Sequence, residues 1–564
     1  MKFSDMKYER FDLDEYKAFY TRLAENARNA NSAEDIIKLI DEHEKAYSYI
    51  MTMGTLAHIR HTIDTTDKFY EEENKFRDEN MPLLQESLLG FIHALFNSPF
   101  RPVLEEKYGS LVFTNIELEL KCFSPAIVPL LQEENMLVSE YQKLTASAQI
   151  EFDGKTLTTS QMAPYAIHKD RSVRKAAYEA LAAFYKSVGE PLDELFDKLV
   201  AVRTRIAQTL GYASFTELGY MRMTRNCYTP EDVAVYRKQV AEDIVPIVKN
   251  LKAKQAERIG IPDMKFYDDG FTYKEGNPKP KGTPEDIFAA GKQMYTEMSE
   301  KTSEFIAFMY ENELLDCLAK KGKANGGYCT YIHEYKSPFI FSNFNGTAGD
   351  VDVLTHEAGH AFASYLAKDF DLAEQMSPTF EACEVHSMSM EFFAWRWLEL
   401  FYGEDADRAK FAHLESSLTF IPYGTMVDHF QHIIYDKPYL TPAQRHEQWQ
   451  ALEKIYRPYM DFSEIPFYNE GRLWQRQLHI YHYPFYYIDY CLAQTVALQY
   501  WALSQDKYDE AFKKYMDFVS LGGKKTFVAL CEAGGVVPPF EQGSLKTIVK
   551  AAEEWLGKLV DNKL

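Results

Sequence analysis

His356-Glu357-Ala358-Gly359-His360 is the stretch of this sequence best equipped for chemistry, with two imidazoles four residues apart and a carboxylate directly after the first. Val353, Leu354, Ala358, Ala361, Phe362, Tyr365 and Leu366 recur around them at helical spacing. This predicts a helix that carries both histidines on one face, about 6 Å apart along its axis. That separation suits one zinc ion. Glu357 leaves the helix in a neighbouring direction, placed to take a proton from a water the metal activates without being a ligand itself. Metal-assisted hydrolysis is the chemistry this spacing serves.

Two imidazoles do not complete a metal site. A motif that adds a third histidine on the same helix requires glycine at position 363 and histidine at 366, where this chain has Ala363 and Leu366. A carboxylate on a following helix is the remaining source. From Phe380 to Trp395 the formal charges are Glu381, Glu384 and Glu391, set among Ala, Val, Met, Phe and Trp, and acids in so apolar a helix need a partner. Glu381, Glu384, Met388, Glu391 and Trp395 share one helical stripe, so by spacing Glu381, Glu384 or Glu391 can supply the ligand. His386 points elsewhere on that helix, and Cys383 reads as a small apolar core residue.

Other elements must hold these groups in place. Tyr328 to Phe344 is rich in aromatic and β-branched residues and is bounded by Gly326-Gly327 and Asn345-Gly346. It predicts a hairpin or pair of strands in an otherwise helical sequence, and a strand near the active helix can bind an extended peptide through its main chain. The run from His479 to Tyr490, HIYHYPFYYIDY, holds more phenol and imidazole than a packed core needs. Elsewhere long amphipathic helical patterns prevail, and Thr283 predicts a helix N-cap ahead of Pro284 after the loop at 275–286.

With 564 residues, 46% of them hydrophobic, the chain can bury large cores and form more than one structural unit. A formal net charge of -22 argues against nucleic acid and anionic membranes as partners. The opening MKFSDMKYERFDLDEY has no basic segment followed by an apolar one, and no apolar run reaches about 18 residues, so neither export nor membrane insertion is expected. Seven dispersed cysteines without a CxxC pair fit reduced thiols in the cytoplasm.

HEAGH followed by the Glu384 of EVHSMSME resembles the zinc-binding signature of the thimet oligopeptidase and oligoendopeptidase F family of metallopeptidases. PFIFSNFNGT, HKDRSVRKAAYEALAAFYKSV and the spacing of His479, Tyr483, Tyr487 and Tyr490 are similar to segments of the same family, with the first of those intervals one residue shorter here. The likeness covers nearly the whole chain and is of the bacterial oligoendopeptidase F, Pz-peptidase type. It implies a mainly α fold in which two helical lobes enclose a deep substrate channel, with a small β-sheet next to the zinc-binding helix. An N-terminal helical region (1–195) would precede a catalytic region (196–564).

The same resemblance implies one zinc ion per chain on His356, His360 and Glu384, with Glu391 orienting a ligand histidine and Glu357 as the base. Tyr483 and Tyr490, with His479, would stabilise the oxyanion. Phe341, Asn343, Asn345, Gly346 and Tyr487 would bind substrate. The implied activity is cleavage of internal bonds in short peptides by a monomer or small homo-oligomer. A zinc carboxypeptidase of the same superfamily is the alternative, and a non-catalytic peptide-binding protein a remote one.

Overall fold

Helices in this chain start where the sequence supplies caps. In the computed structural model, which describes residues 1–320, 322–324, 326–344 and 348–561, Asp12 and Ser32 accept first-turn N–H groups at the heads of Leu13–Arg28 and Ala33–Ile63. Thr283 and Asp286 form a capping box ahead of Pro284–Met298, at the position the sequence predicts. Strand is confined, among the described residues, to two small sheets. One is the hairpin Ile150–Phe152 with Lys155–Leu157, turning at Asp153 and Gly154, whose φ of 51° and 68° are those an Asp-Gly turn favours.

The chain divides into two compact units, each assembled from three segments. The first comprises Met1–Leu120, Lys279–Ala406 and Val496–Val536. Its N-terminal helices bury Tyr20, Leu23, Ile36, Phe91, Leu104 and Phe113 in one cluster, each such side chain contributing roughly 1.5–3 kcal/mol. The second comprises Lys121–Pro278, Asp407–Thr495 and Val537–Leu564. Its interior is aromatic, with Phe196 against Trp474 at 4.8 Å and Phe430 against Trp449 at 5.2 Å between ring centres. The helix Gly189–Thr209 runs through position 195, so no linker marks a change of region there.

The sheet of the first unit has Ser337–Phe344 in the middle, parallel to Leu315–Leu318 and antiparallel to Tyr328–Ile332. Tyr328–Ile332 and Ser337–Phe344 form the expected hairpin. Leu315–Leu318 was not anticipated, because four residues are too few to display a period of two. Pro338 has no N–H to donate, and the Ile340 N–H goes to the Leu314 carbonyl. The alternate residues Ser337, Phe339 and Phe341 therefore pair with Ile332, Thr330 and Tyr328, which leaves the main-chain groups of Cys329 and Tyr331 pointing away from the sheet. The helix Ala348–Ala367 packs on this sheet and on the helix Phe380–Phe393.

Candidate active site

His356 and His360 project from Ala348–Ala367, and Glu384 from Phe380–Phe393, with one potential ligand atom of each lying within 4.8 Å of the others. Glu384 Oε2 is 3.4 Å from His356 Nε2 and 3.7 Å from His360 Nε2. Two donors each about 2.0–2.1 Å from a tetrahedral zinc ion stand about 3.4 Å apart, so this set fits the metal in ligand type and spacing. The other nitrogen of His356, Nδ1, is 2.7 Å from Glu391 Oε1. That carboxylate fixes the ring and favours the tautomer that frees Nε2 for a ligand bond. Glu381 accepts from the Thr379 hydroxyl at 2.6 Å instead. Of the three carboxylates that spacing left open, the structure groups Glu384 with the histidines.

Gly359 makes this grouping possible. A Cβ there would lie 2.6 Å from Ser387 Cα and 2.7 Å from the His386 carbonyl oxygen, so the two helices touch backbone to backbone. The Tyr515 hydroxyl donates to that same carbonyl at 2.8 Å. Sequence reading passed over Gly359 because the motif leaves its position free. The available signal was a glycine inside a helix, which costs about 1 kcal/mol relative to alanine and so calls for a packing reason.

Burial pushes the Glu357 carboxyl up to about 7, with the negative charges of Glu384 and Glu391 adding to it. His356 and a hydrogen bond from the Cys329 N–H act in the opposite direction. A carboxylate poised near neutrality is suited to pick up and return a proton. Burial draws His360 down to about 4, which keeps it neutral as a metal ligand must be. At His356 burial opposes the charge, but hydrogen bonds to Glu384 and Glu391 outweigh it and hold the pKa well above the usual value. A proton held there is one that a cation displaces on binding. His386, buried and pushed down to about 3, stands outside the donor set.

The aromatic run belongs to the second unit and is not one helix. Leu478–His482 stops at Tyr483, whose backbone (φ -130°, ψ 75°) precedes Pro484, and a new helix begins at Tyr487. Proline cannot donate to the preceding turn and moves its predecessor out of the helical region, so even helical spacing from His479 to Tyr490 does not exist here. The His479 ring nevertheless meets Tyr487 at 4.8 Å and Tyr490 at 5.8 Å, and Gln477 Nε2 lies 2.8 Å from its Nδ1. Tyr483 is exposed and reaches only the edge of this group, its ring 6.2 Å from that of Tyr486.

Phe341 and Asn343 are placed otherwise than the sequence led us to expect. They lie on the middle strand, both of whose sides are taken. Phe341 is fully buried and stacked on Tyr328 at 4.9 Å. The Asn343 amide donates to the Ala324 and Gly326 carbonyls at 2.8 and 2.9 Å. Neither presents an open edge to a peptide. Asn345 and Gly346 lie outside the described residues. The strand edge on the side of Glu357 is Tyr328–Ile332, through Cys329.

The model for Peptidase family M3 matches residues 165–549, and that for the Peptidase M3 N-terminal domain matches residues 3–123. Oligopeptidase PepF of Bacillus subtilis (strain 168) is 22% identical over 544 residues, covering 90% of this chain and 78% of that protein. Among solved structures, PZ peptidase A with inhibitor 2 shares 47% identity and a TM-score of 0.94 over 100% of both chains. Oligoendopeptidase-F from Enterococcus faecium, 14% identical with a TM-score of 0.66, covers 98% of this chain and 99% of that one and is alike in fold alone.

Proposed function

Because this chain belongs to peptidase family M3, we propose that His356, His360 and Glu384 hold one zinc ion and that Glu357 is the general base of a peptide hydrolase. The enzyme is an oligopeptide-cleaving metalloendopeptidase. The observation that carries the site assignment is the convergence of two imidazoles and one carboxylate within 4.8 Å, with a further carboxylate behind His356. When bound, zinc supplies Lewis acidity toward the scissile carbonyl and the attacking water.

The residues of the chain do the rest. Glu391 keeps the His356 ring in register. Glu357 accepts a proton from the water at its carboxylate and delivers it to the leaving amine, a shuttle favoured by a pKa near neutrality. The Cys329 carbonyl and the outward main-chain groups of Tyr331 bind the substrate backbone in an extended form, in place of Phe341 and Asn343, while the Cys329 N–H stays on Glu357. Tyr483 and Tyr490, with His479, donate to the oxyanion that develops at the carbonyl, each donor contributing about 2.7–4 kcal/mol, and Tyr487 contacts substrate. These aromatic roles rest on the family resemblance. All the proposed site residues fall in the region 196–564, with 1–195 as a helical companion. We place the enzyme in the cytoplasm, a setting supported by seven cysteines that are all thiols. Its partners are short peptides, met by a monomer or small homo-oligomer.

The test joins metal analysis to product analysis. Glu384→Ala should lose stoichiometric zinc and Glu381→Ala should keep it, while end-blocked peptides are cut internally by the wild type and spared after chelation. Zinc loss confined to Glu381→Ala, or removal of terminal residues only, would overturn the assignment.

A further inference from the structure

Tyr483 carries an exposed ring on a backbone that is gripped from both sides. On the upstream side, the short helix Leu478–His482 ends in carbonyls that lack intrahelical donors. Arg203, fully buried, supplies them, donating to the Tyr481 oxygen and, at 3.5 Å, to that of Ile480. On the downstream side, Phe485 sits at φ 68°, a left-handed conformation that costs a bulky residue roughly 1–3 kcal/mol. Its surroundings impose it. Arg225 donates to the Phe485 carbonyl, Gln431 Oε1 accepts the Phe485 N–H at 2.7 Å, and the ring fills space that is open only because residue 219 is glycine.

Both arginines are neutralised where they lie. Arg203 Nε donates to Glu134 at 2.7 Å and its Nη1 to the Tyr435 hydroxyl at 2.9 Å, with Glu134 shared by Arg222 at 3.0 Å. Arg225 donates to Asp489 at 2.8 Å, four residues beyond the carbonyl it also holds. Arg203 spreads its bonds over Nε, Nη1 and Nη2, which the single ammonium of lysine does not match in the same geometry, whereas Arg225 makes both of its bonds through Nη2. Buried ion pairs are costly to desolvate and contribute little net stability, so two of them flanking so short an interval point to a geometric purpose.

We infer that Arg203 and Arg225 are positioning residues that clamp the backbone on either side of Tyr483-Pro484 and thereby present the Tyr483 phenol in one fixed orientation. The inference rests on the proposed role of Tyr483 as an oxyanion donor. An exposed tyrosine on a loose kink would sample many orientations, and a donor is effective only if it is already aimed. The clamp supplies that aim from buried groups that do not themselves touch substrate.

The experiment uses full-length, zinc-loaded enzyme and a short fluorogenic peptide. Arg203→Lys should lower kcat about tenfold with KM within about twofold and zinc content unchanged, and should add less than about twofold when combined with Tyr483→Phe. Amide hydrogen exchange at Tyr483, Phe485 and Tyr486 should quicken. Arg225→Ala, which removes both Nη2 bonds, probes the other side and stands in if Arg203→Lys does not yield folded protein. Wild-type kcat and exchange in the folded variant, or a loss that multiplies fully with that of Tyr483→Phe, overturns the clamp. If Tyr483→Phe alone leaves kcat unchanged, it is the donor role that fails, and the exchange rates then decide the clamp by themselves.

Discussion

The motif region and the aromatic run place reactive side chains in opposite ways. Around His356, regular helices do the work: residues one turn apart share a face, and a second helix comes close enough to complete the set because Gly359 has no side chain. Around Tyr483 the chain is irregular, and its shape comes from Pro484, a left-handed Phe485 and buried arginines bonded to backbone oxygens. Periodicity builds the first and specific long-range bonds build the second. The first therefore tolerates little change in backbone spacing, while the second depends on residues far away in sequence.

Four experiments press on that contrast, in falling order of effect. Glu357→Gln keeps the shape and hydrogen-bonding reach of the side chain but cannot take up a proton, so turnover should drop at least about 100-fold with metal retained. Near-normal rates in metal-loaded protein would detach the helical motif from the chemistry. Gly359→Ala forces the two helices apart without touching a ligand. Zinc affinity should fall about 10-fold or more and stability by roughly 1–3 kcal/mol, as read by chelator competition and denaturant titration. Wild-type affinity would mean that backbone contact does not set the site.

Tyr483→Phe and Tyr490→Phe should each lower kcat by about tenfold or more with KM little changed, since the hydrogen bond forms mainly in the transition state. Unchanged kcat in both would reduce the irregular region to packing. The smallest effect concerns pH. The Glu357 carboxyl has a folded pKa of about 7, above its ordinary 4.5. The metal-free native state thus binds the proton more tightly than the unfolded chain, and this contribution, full below 4.5, is lost as pH rises through 7. Melting of metal-free Glu357→Gln should accordingly decline less between these pH values, by a few degrees at most. Parallel melting curves would show that burial does not burden this acid.

What could be read from sequence follows the same division. The helical class, the two histidines, the cap at Thr283 and the hairpin were all legible, because each is written in local spacing or in a turn residue. Glu384 was narrowed to one of three acids by spacing, and the family resemblance chose among them. Gly359 was missed because no pattern says which neighbour approaches a helical glycine. The middle position of Ser337–Phe344 was missed because strand order depends on Leu315–Leu318, a partner too short to announce itself. The kink at Tyr483 had its local sign in Pro484, but the arginines that hold it lie more than 250 residues away in the sequence.

Strand edges are ordinarily a hazard, since unpaired backbone groups recruit other chains into ladders. This protein leaves one beside Glu357 and keeps it short. Tyr328–Ile332 has five residues, about 17 Å of extended chain, and only Cys329 and Tyr331 turn their main-chain groups outward. For a peptide bound there as proposed, such an edge acts as a ruler. Once a peptide is long enough to lie along it, further residues gain no more backbone pairing there, and a second protein molecule finds too few bonds to start a ladder.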